Sequence, residues 1–412
     1  MQLFLIFSVL ISLAAFFSYI NVRIMRLPQG ISLMLMGTIV SVSLILTGKF
    51  SADFTESIRV ELLAIDFSEF LLGILLSFLL FAGSLHVKVD DMWSSAKSIL
   101  SFATLGTLIS TLLVGSAVYY LFPFFGFNIP FIACILFGAL ISPTDPIAVI
   151  GILRRADLSK SIEIKITGES LFNDGIGVVV FMTVLEIAVR GIEQFDAGSV
   201  IILFLREAVG GIAAGLAIGF IGFKMMKSIN HFQTEILISL AMVMGGYSMC
   251  HFLHVSGPLA MVVAGLVTGN KGRREAMSDV TRDYLEKFWE VTDEILNALL
   301  FMLIGLELVV VSFQFSYILV GLAASILLVI ARYFSLWIPA VVFRFKKELE
   351  NKTLEIMTWG GLRGGISIAL ALSLPPEDYK SVFVAVTFII VLFSILIQGF
   401  TIGRVIKYFK NQ

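Results

Sequence analysis

Runs of about twenty apolar residues follow one another along this chain, separated by short polar connections, and that pattern dictates most of what it can become. In hydrocarbon no water is available to backbone N–H and C=O groups, so a spanning segment must satisfy them internally, as a helix does. About twenty residues of helix cross the bilayer core. By that ruler spans are predicted near 2–20, 28–47, 68–86, 97–122, 129–152, 164–190, 199–226, 233–251, 255–270, 289–311, 316–343, 353–374 and 381–408. The expected fold is therefore an all-α polytopic membrane protein with about thirteen transmembrane helices. Composition agrees: 58% of residues are hydrophobic and 14% charged, against roughly 25% charged in soluble domains. The longest polar stretch, Lys271–Glu290, is too short for a domain, so residues 1–412 are expected to form one membrane domain without a soluble one.

The first apolar run has no basic residue ahead of it; Arg23 and Arg26 follow it, which is the wrong order for a cleaved signal and suits a retained helix. Lys and Arg give the orientation. With the N-terminus outside, twenty-two of the 29 fall in inside connections, five fall outside, and Arg332 and Arg363 lie within spans. A multi-pass protein with its C-terminus in the cytoplasm is expected. A net charge of −1 and the lack of a basic tail argue against nucleic acid as a partner. Cys134 and Cys250 sit in apolar runs and read as buried thiols. No phosphate-cradling loop, nucleophile with a base, or cofactor motif is present.

Two spans carry interruption signals. In ALISPTDPIAV, Pro143 and Pro146 remove backbone donors around Thr144 and Asp145 and break the helix there. In WGGLRGGIS, Gly360, Gly361, Gly364 and Gly365 surround Arg363. Such breaks at matching positions of two halves are the pattern of inverted repeats in transporters, here two inverted six-helix repeats with crossed interrupted helices. Freed carbonyls at membrane depth survive only where they line a cavity or meet a ligand. Thr144 and Asp145 are candidate cation ligands on that ground, although Asp145 could equally cap the second half-helix.

Between these lies ITGESLFNDG, residues 166–175. Residues four apart share a helix face, so Glu169 stacks with Asn173 and Ser170 with Asp174 in one polar stripe. Ionisable groups at a helix centre cost roughly 2.5–3.5 kcal/mol each on the insertion scale, and inside a membrane such groups mark ion or proton pathways. Glu169 alone could simply stabilise the bundle through an ion pair. Arg332 has no acid nearby in sequence and must find its counter-charge on another helix. Arg363 could balance half-helix dipoles or pair with Asp145. His251 and His254 have metal-like spacing but no carboxylate or Cys nearby. Glu307 lies near a span mouth, and Glu69 opens the third span.

SPTDPIAV (142–149), GESLFNDG (168–175), IAR (330–332) and GGLRGG (360–365), in that order, resemble the motifs of the cation:proton antiporters, in the NhaP-like branch related to sodium/proton exchangers. The resemblance covers essentially the whole chain. It implies Asp174 as the shared cation- and proton-binding carboxylate, with Thr144, Ser170 and water completing a site for transported Na⁺, and Asn173 beside it. It implies Glu169 as partner of Arg332, and Asp145 and Arg363 as neutralisers of the helix breaks. It further implies a homodimer, with an ion-transport part near 97–190 and 316–408 and a dimerisation part near 1–86 and 199–311. The setting would be a bacterial or archaeal plasma membrane. One departure stands out: some relatives carry a carboxylate late in the third span, where this chain has Ala82 and Gly83.

The function so implied is exchange of Na⁺, or Li⁺, for H⁺. It would be electroneutral because Asn173 stands where an electrogenic branch has a second acid, and it would serve pH and sodium homeostasis. K⁺/H⁺ exchange on the same fold is the nearest alternative. A cation channel would conduct with voltage, and a membrane enzyme would cluster its polar groups at one water-facing surface.

Overall fold

The computed structural model describes residues 2–48, 70–145, 159–191, 197–308, 314–345, 349 and 352–410. Among the described residues there is helix and no strand, apart from one isolated bridge between Asp145 and Leu362. The helices are α1 (Gln2–Ile20), α2 (Gln29–Gly48), α3 (Leu76–Leu85), α4 (Ala96–Phe125), α5 (Phe131–Ile141), α6 (Lys160–Arg190), α7 (Ala197–Lys227) and α8 (Phe232–Phe252). They continue as α9 (Gly257–Val267), α10 (Asp279–Glu307), α11 (Phe315–Val342), α12 (Thr353–Gly360), α13 (Gly365–Leu372) and α14 (Lys380–Tyr408). Seven described helices are long and apolar enough to cross a membrane by themselves.

Local chemistry sets the ends. Ser159 accepts the Ile162 N–H and caps α6, whose C-terminus stops at Gly191 with φ +90°. At 31 residues this helix is about 46 Å long, enough to cross the hydrocarbon and protrude. Ser256 caps α9 by accepting the Leu259 N–H. Ser278 caps α10 by accepting the Thr281 N–H, so that helix starts ten residues before the predicted span. Much of the polar stretch Lys271–Glu290 is therefore helix, not loop: Ser278 supplies a start signal, and the charges that follow are tolerated where α10 leaves the bilayer. In the other direction, α5 ends at Ile141, well short of residue 152, because Pro143 cannot donate to the Ala139 carbonyl. Pro146 and residues up to 158 lie outside the described residues, as does Glu69.

Packing relies on small residues. Without a hydrophobic force between helices in lipid, close backbone approach substitutes for it. α4 runs along α5, α2 along α10 and α7 along α9. At the α4–α5 contact a Cβ on Gly115 would fall 2.7 Å from the Ile135 Cα, and one on Gly138 would strike the Thr111 carbonyl. Both thiols, Cys134 and Cys250, are free and buried.

The α4–α5 contact yields a first prediction. Gly138→Val should lower the detergent melting temperature by an amount corresponding to ~1–3 kcal/mol of overpacking. Gly245→Ala, where no atom lies within 4 Å of the new Cβ, should leave it unchanged. Thermal unfolding of the purified protein measures both; equal melting temperatures for the two variants would contradict the packing described.

Candidate functional site

Two broken helices cross at the centre of the molecule. The chain leaves α5 through Ser142 and Pro143 into an extended Thr144–Asp145, and the Asp145 N–H donates to the Leu362 carbonyl at 2.8 Å. Leu362 lies in the gap between the end of α12 at Gly360 and the start of α13 at Gly365. The crossing thus holds the C-termini of α5 and α12 and the N-terminus of α13, with partial charges of both signs.

The ends of α5 and α13 each have a counter-charge. Pro146 has no N–H, so the Ser142 carbonyl lacks its helical donor. The Arg363 guanidinium donates there instead, and also to the Pro143 carbonyl at 2.9 Å. Arg363 therefore takes the first of its two expected options, neutralising a half-helix. On the opposite side the Asp145 carboxylate lies against Gly364, the N-cap of α13, in the space a side chain at 364 would need. Glycine is required there by that close approach.

The polar stripe of α6 divides its work. Glu169 and Arg332 form a buried two-pronged pair, Nη1 to Oε1 at 3.0 Å and Nη2 to Oε2 at 2.6 Å. They are 1% and 3% exposed, so water does not screen them. Asn173 donates to Glu169 Oε1 at 2.6 Å and to the Thr144 hydroxyl at 2.8 Å, while its Oδ1 accepts the Thr144 N–H at 3.2 Å. The Thr144 and Ser170 hydroxyls meet at 3.0 Å. One connected network thus runs from α11 through α6 to the extended segment of the crossing.

Asp174 stands apart from it. The residue is 8% exposed and lines a cavity of ≈ 730 Å³ that also reaches Asp145, Thr167 and Leu171. Among the described residues no hydrogen-bond or ion-pair partner takes up its carboxylate. Glu169 and Arg332 are locked together, whereas Asp174 opens to a cavity.

All eight residues singled out from the sequence gather around this crossing. Others of the sequence candidates do not: His251 and His254 are exposed at the far end of α8, and among the described residues no group of three or more His, Cys, Asp or Glu could hold a metal. Glu69 and the Glu307 side chain fall outside the described residues. The sequence reading missed the other wall of the cavity, where Glu286, Glu290, Asp293, Glu294 and Asn297 of α10 line it. Their spacing puts them on one helical face; Glu290, Asp293, Glu294 and Asn297 lie inside the span predicted at 289–311, so the spacing was itself the available signal.

Crossed half-helices with matched charges, buried in an all-helical apolar body, define a polytopic membrane transporter, not an enzyme. Comparison with known proteins is specific. The chain belongs to the sodium/hydrogen exchanger family: its profile, described as sodium/hydrogen exchanger, transmembrane, matches residues 11–408. The chain is 45% identical to the Na(+)/H(+) antiporter NhaP of Pseudomonas aeruginosa, over 96% of this chain and 95% of that one. It is 33% identical to the Na(+)/H(+) antiporter NhaH of Halobacillus aidingensis, over 93% of each. Its fold superposes on the sodium proton antiporter MjNhaP1 of Methanocaldococcus jannaschii with a TM-score of 0.78 over the full length of both, at 20% identity.

The Glu169–Arg332 pair supplies the second prediction. Arg332→Met strands a buried carboxylate and should destabilise the protein by ~3–5 kcal/mol, whereas Arg332→Met with Glu169→Gln should recover most of that loss. Melting temperatures of the two variants decide it; a double variant no more stable than the single would show that the pair is not energetically coupled.

Proposed function

We propose that this protein exchanges Na⁺ for H⁺ across the membrane, one for one, with Asp174 binding either ion but not both. The observation that carries the reading is the charge pattern at the crossing. Glu169 is matched by Arg332, Arg363 by the α5 carbonyls and Asp145 by the α13 N-terminus, and Asn173 is neutral. That leaves Asp174 as the unmatched charge at the crossing, where it faces the cavity.

An ionised Asp174 alone leaves the site at −1; one proton or one sodium ion brings it to zero. Both loaded forms then carry equal charge, so a full cycle moves no net charge. The empty charged form faces the full desolvation penalty and crosses poorly, which couples the two fluxes. Ser170 and Thr144 place hydroxyl oxygens beside the site, and Asn173 fixes Thr144 at its N–H and hydroxyl while steadying Glu169. The similarity to proteins named Na(+)/H(+) antiporters supports sodium as the exchanged ion.

In this reading residues 97–190 and 316–408 carry the site and move against a dimerisation part, 1–86 and 199–311, within a homodimer. The apolar faces of α1 and α7, largely exposed on the single chain, support cover by lipid or by a second copy. The Lys and Arg distribution supports an N-terminus outside and a cytoplasmic C-terminus, and the bacterial and archaeal relatives support a plasma membrane setting with a role in pH and sodium homeostasis.

Proteoliposomes loaded with a pH indicator test this directly. Added Na⁺ should drive proton flux at a rate unchanged when valinomycin and K⁺ clamp the potential, and Asp174→Asn should abolish it while the protein stays folded. The KM for Na⁺ should rise as pH falls, because protons occupy Asp174 first. Flux driven by K⁺ but not Na⁺ would replace the sodium assignment, and flux that follows voltage would point to a channel or an electrogenic cycle.

A further inference from the structure

The cavity that ends at Asp174 has a second wall with its own chemistry. α10 presents Glu286, Glu290, Asp293, Glu294 and Asn297 along one face, a ladder about 16 Å long. The rungs are not equivalent. Glu286 is held by Arg273 at 3.0 Å, and Glu290 is exposed where the cavity reaches the surface beside His86. Deeper in, Asp293 is half-buried one helical turn before Asn297, and both line the cavity that also reaches Asp145.

Asn297 is the unexplained group. It is 8% exposed, it lines the cavity, and its Oδ1 has no hydrogen-bond partner. A buried amide oxygen without a donor costs roughly 1–3 kcal/mol, a cost that calls for a ligand with positive character. The α3 part of the lining, Leu76, Leu80 and Gly83, is apolar, and a Cβ on Gly83 would meet only Leu171, at 4.0 Å. Ala82 and Gly83, where some relatives carry an acid, leave α10 to provide the charge.

We propose that Asp293 and Asn297 form a second, transient cation station in the vestibule. It binds a monovalent alkali cation between the Asp293 carboxylate and Asn297 Oδ1, with water completing the shell, and passes it to Asp174. One carboxylate and one neutral oxygen hold such an ion weakly enough to release it, as a station on a transit path requires. Protons compete at the Asp293 carboxylate alone, because an amide oxygen does not take them up in this range. Under the transport reading on which this inference rests, α10 belongs to the part that stays in place, and the station meets Asp174 only while the cavity is open.

Oriented proteoliposomes of the full-length protein test it. Asp293→Asn and Asn297→Leu should each raise the KM for Na⁺ on the cavity face by roughly fivefold or more, the effect of losing one ion ligand. The maximal rate and the KM on the opposite face should stay unchanged, and Asp293→Glu should restore most of the affinity. An unchanged KM, or one raised equally on both faces, would overturn the proposal. So would an effect of Asp293→Asn not shared by Asn297→Leu, which would leave only diffuse attraction by an acidic wall. A binding readout separates this inference from the transport reading. In Asp174→Asn protein, sodium NMR line broadening should persist and then disappear on adding Asp293→Asn. Loss of broadening in Asp174→Asn alone would overturn the station, whatever the protein transports.

Discussion

A charge buried at membrane depth must be matched, and the helix crossing of this protein meets that demand for Glu169, Arg332, Arg363 and Asp145 but not for Asp174. Arg332 and Glu169 meet through two hydrogen bonds. Arg363 takes carbonyls that a proline-broken helix leaves without donors, and Asp145 sits on the start of the opposing half-helix. Because these charges cancel locally, Asp174 stands as a single unmatched carboxylate at the crossing instead of one member of a saturated cluster. The same matching gives the crossing its rigidity, since breaking any one pair strands its partner in a low dielectric.

Backbone chemistry makes this arrangement possible. Prolines 143 and 146 remove the donors that would otherwise close the α5 helix, and glycine at 364 admits the Asp145 carboxylate against the main chain. Asn173 then joins the pieces: one amide bridges Glu169 on its own helix to Thr144 on the broken one. A carboxylate at 173 could not donate to Glu169 and would repel it. The neutral residue is thus bound up with the geometry as well as with the charge count of the transport cycle.

Much of this was legible before any coordinates. Apolar run length located the helices, the Pro and Gly clusters located both breaks, and acids in mid-span pointed to α6. Arg332 advertised that it needed a partner, though composition alone could not say which; only the family motifs pointed to Glu169. What stayed hidden has physical reasons. The charges from Lys271 to Glu290 resemble a loop, because hydropathy cannot distinguish a solvated helix face from a connection. The acidic face of α10 begins in that stretch at Glu286 and runs on into the predicted span, and only the cavity shows that its acids share one wall. The open oxygen of Asn297 and the division of the α6 stripe into a locked half and a half open to the cavity depend on contacts between helices far apart in sequence.

The central claim is that one carboxylate serves two ions in turn. Its most direct measurement is the number of protons released when Na⁺ binds to purified protein in weakly buffered detergent, followed with a pH indicator. About one proton should leave for each sodium ion bound, and both events should vanish in Asp174→Asn. Sodium binding without proton release, or release that survives that substitution, would contradict the account.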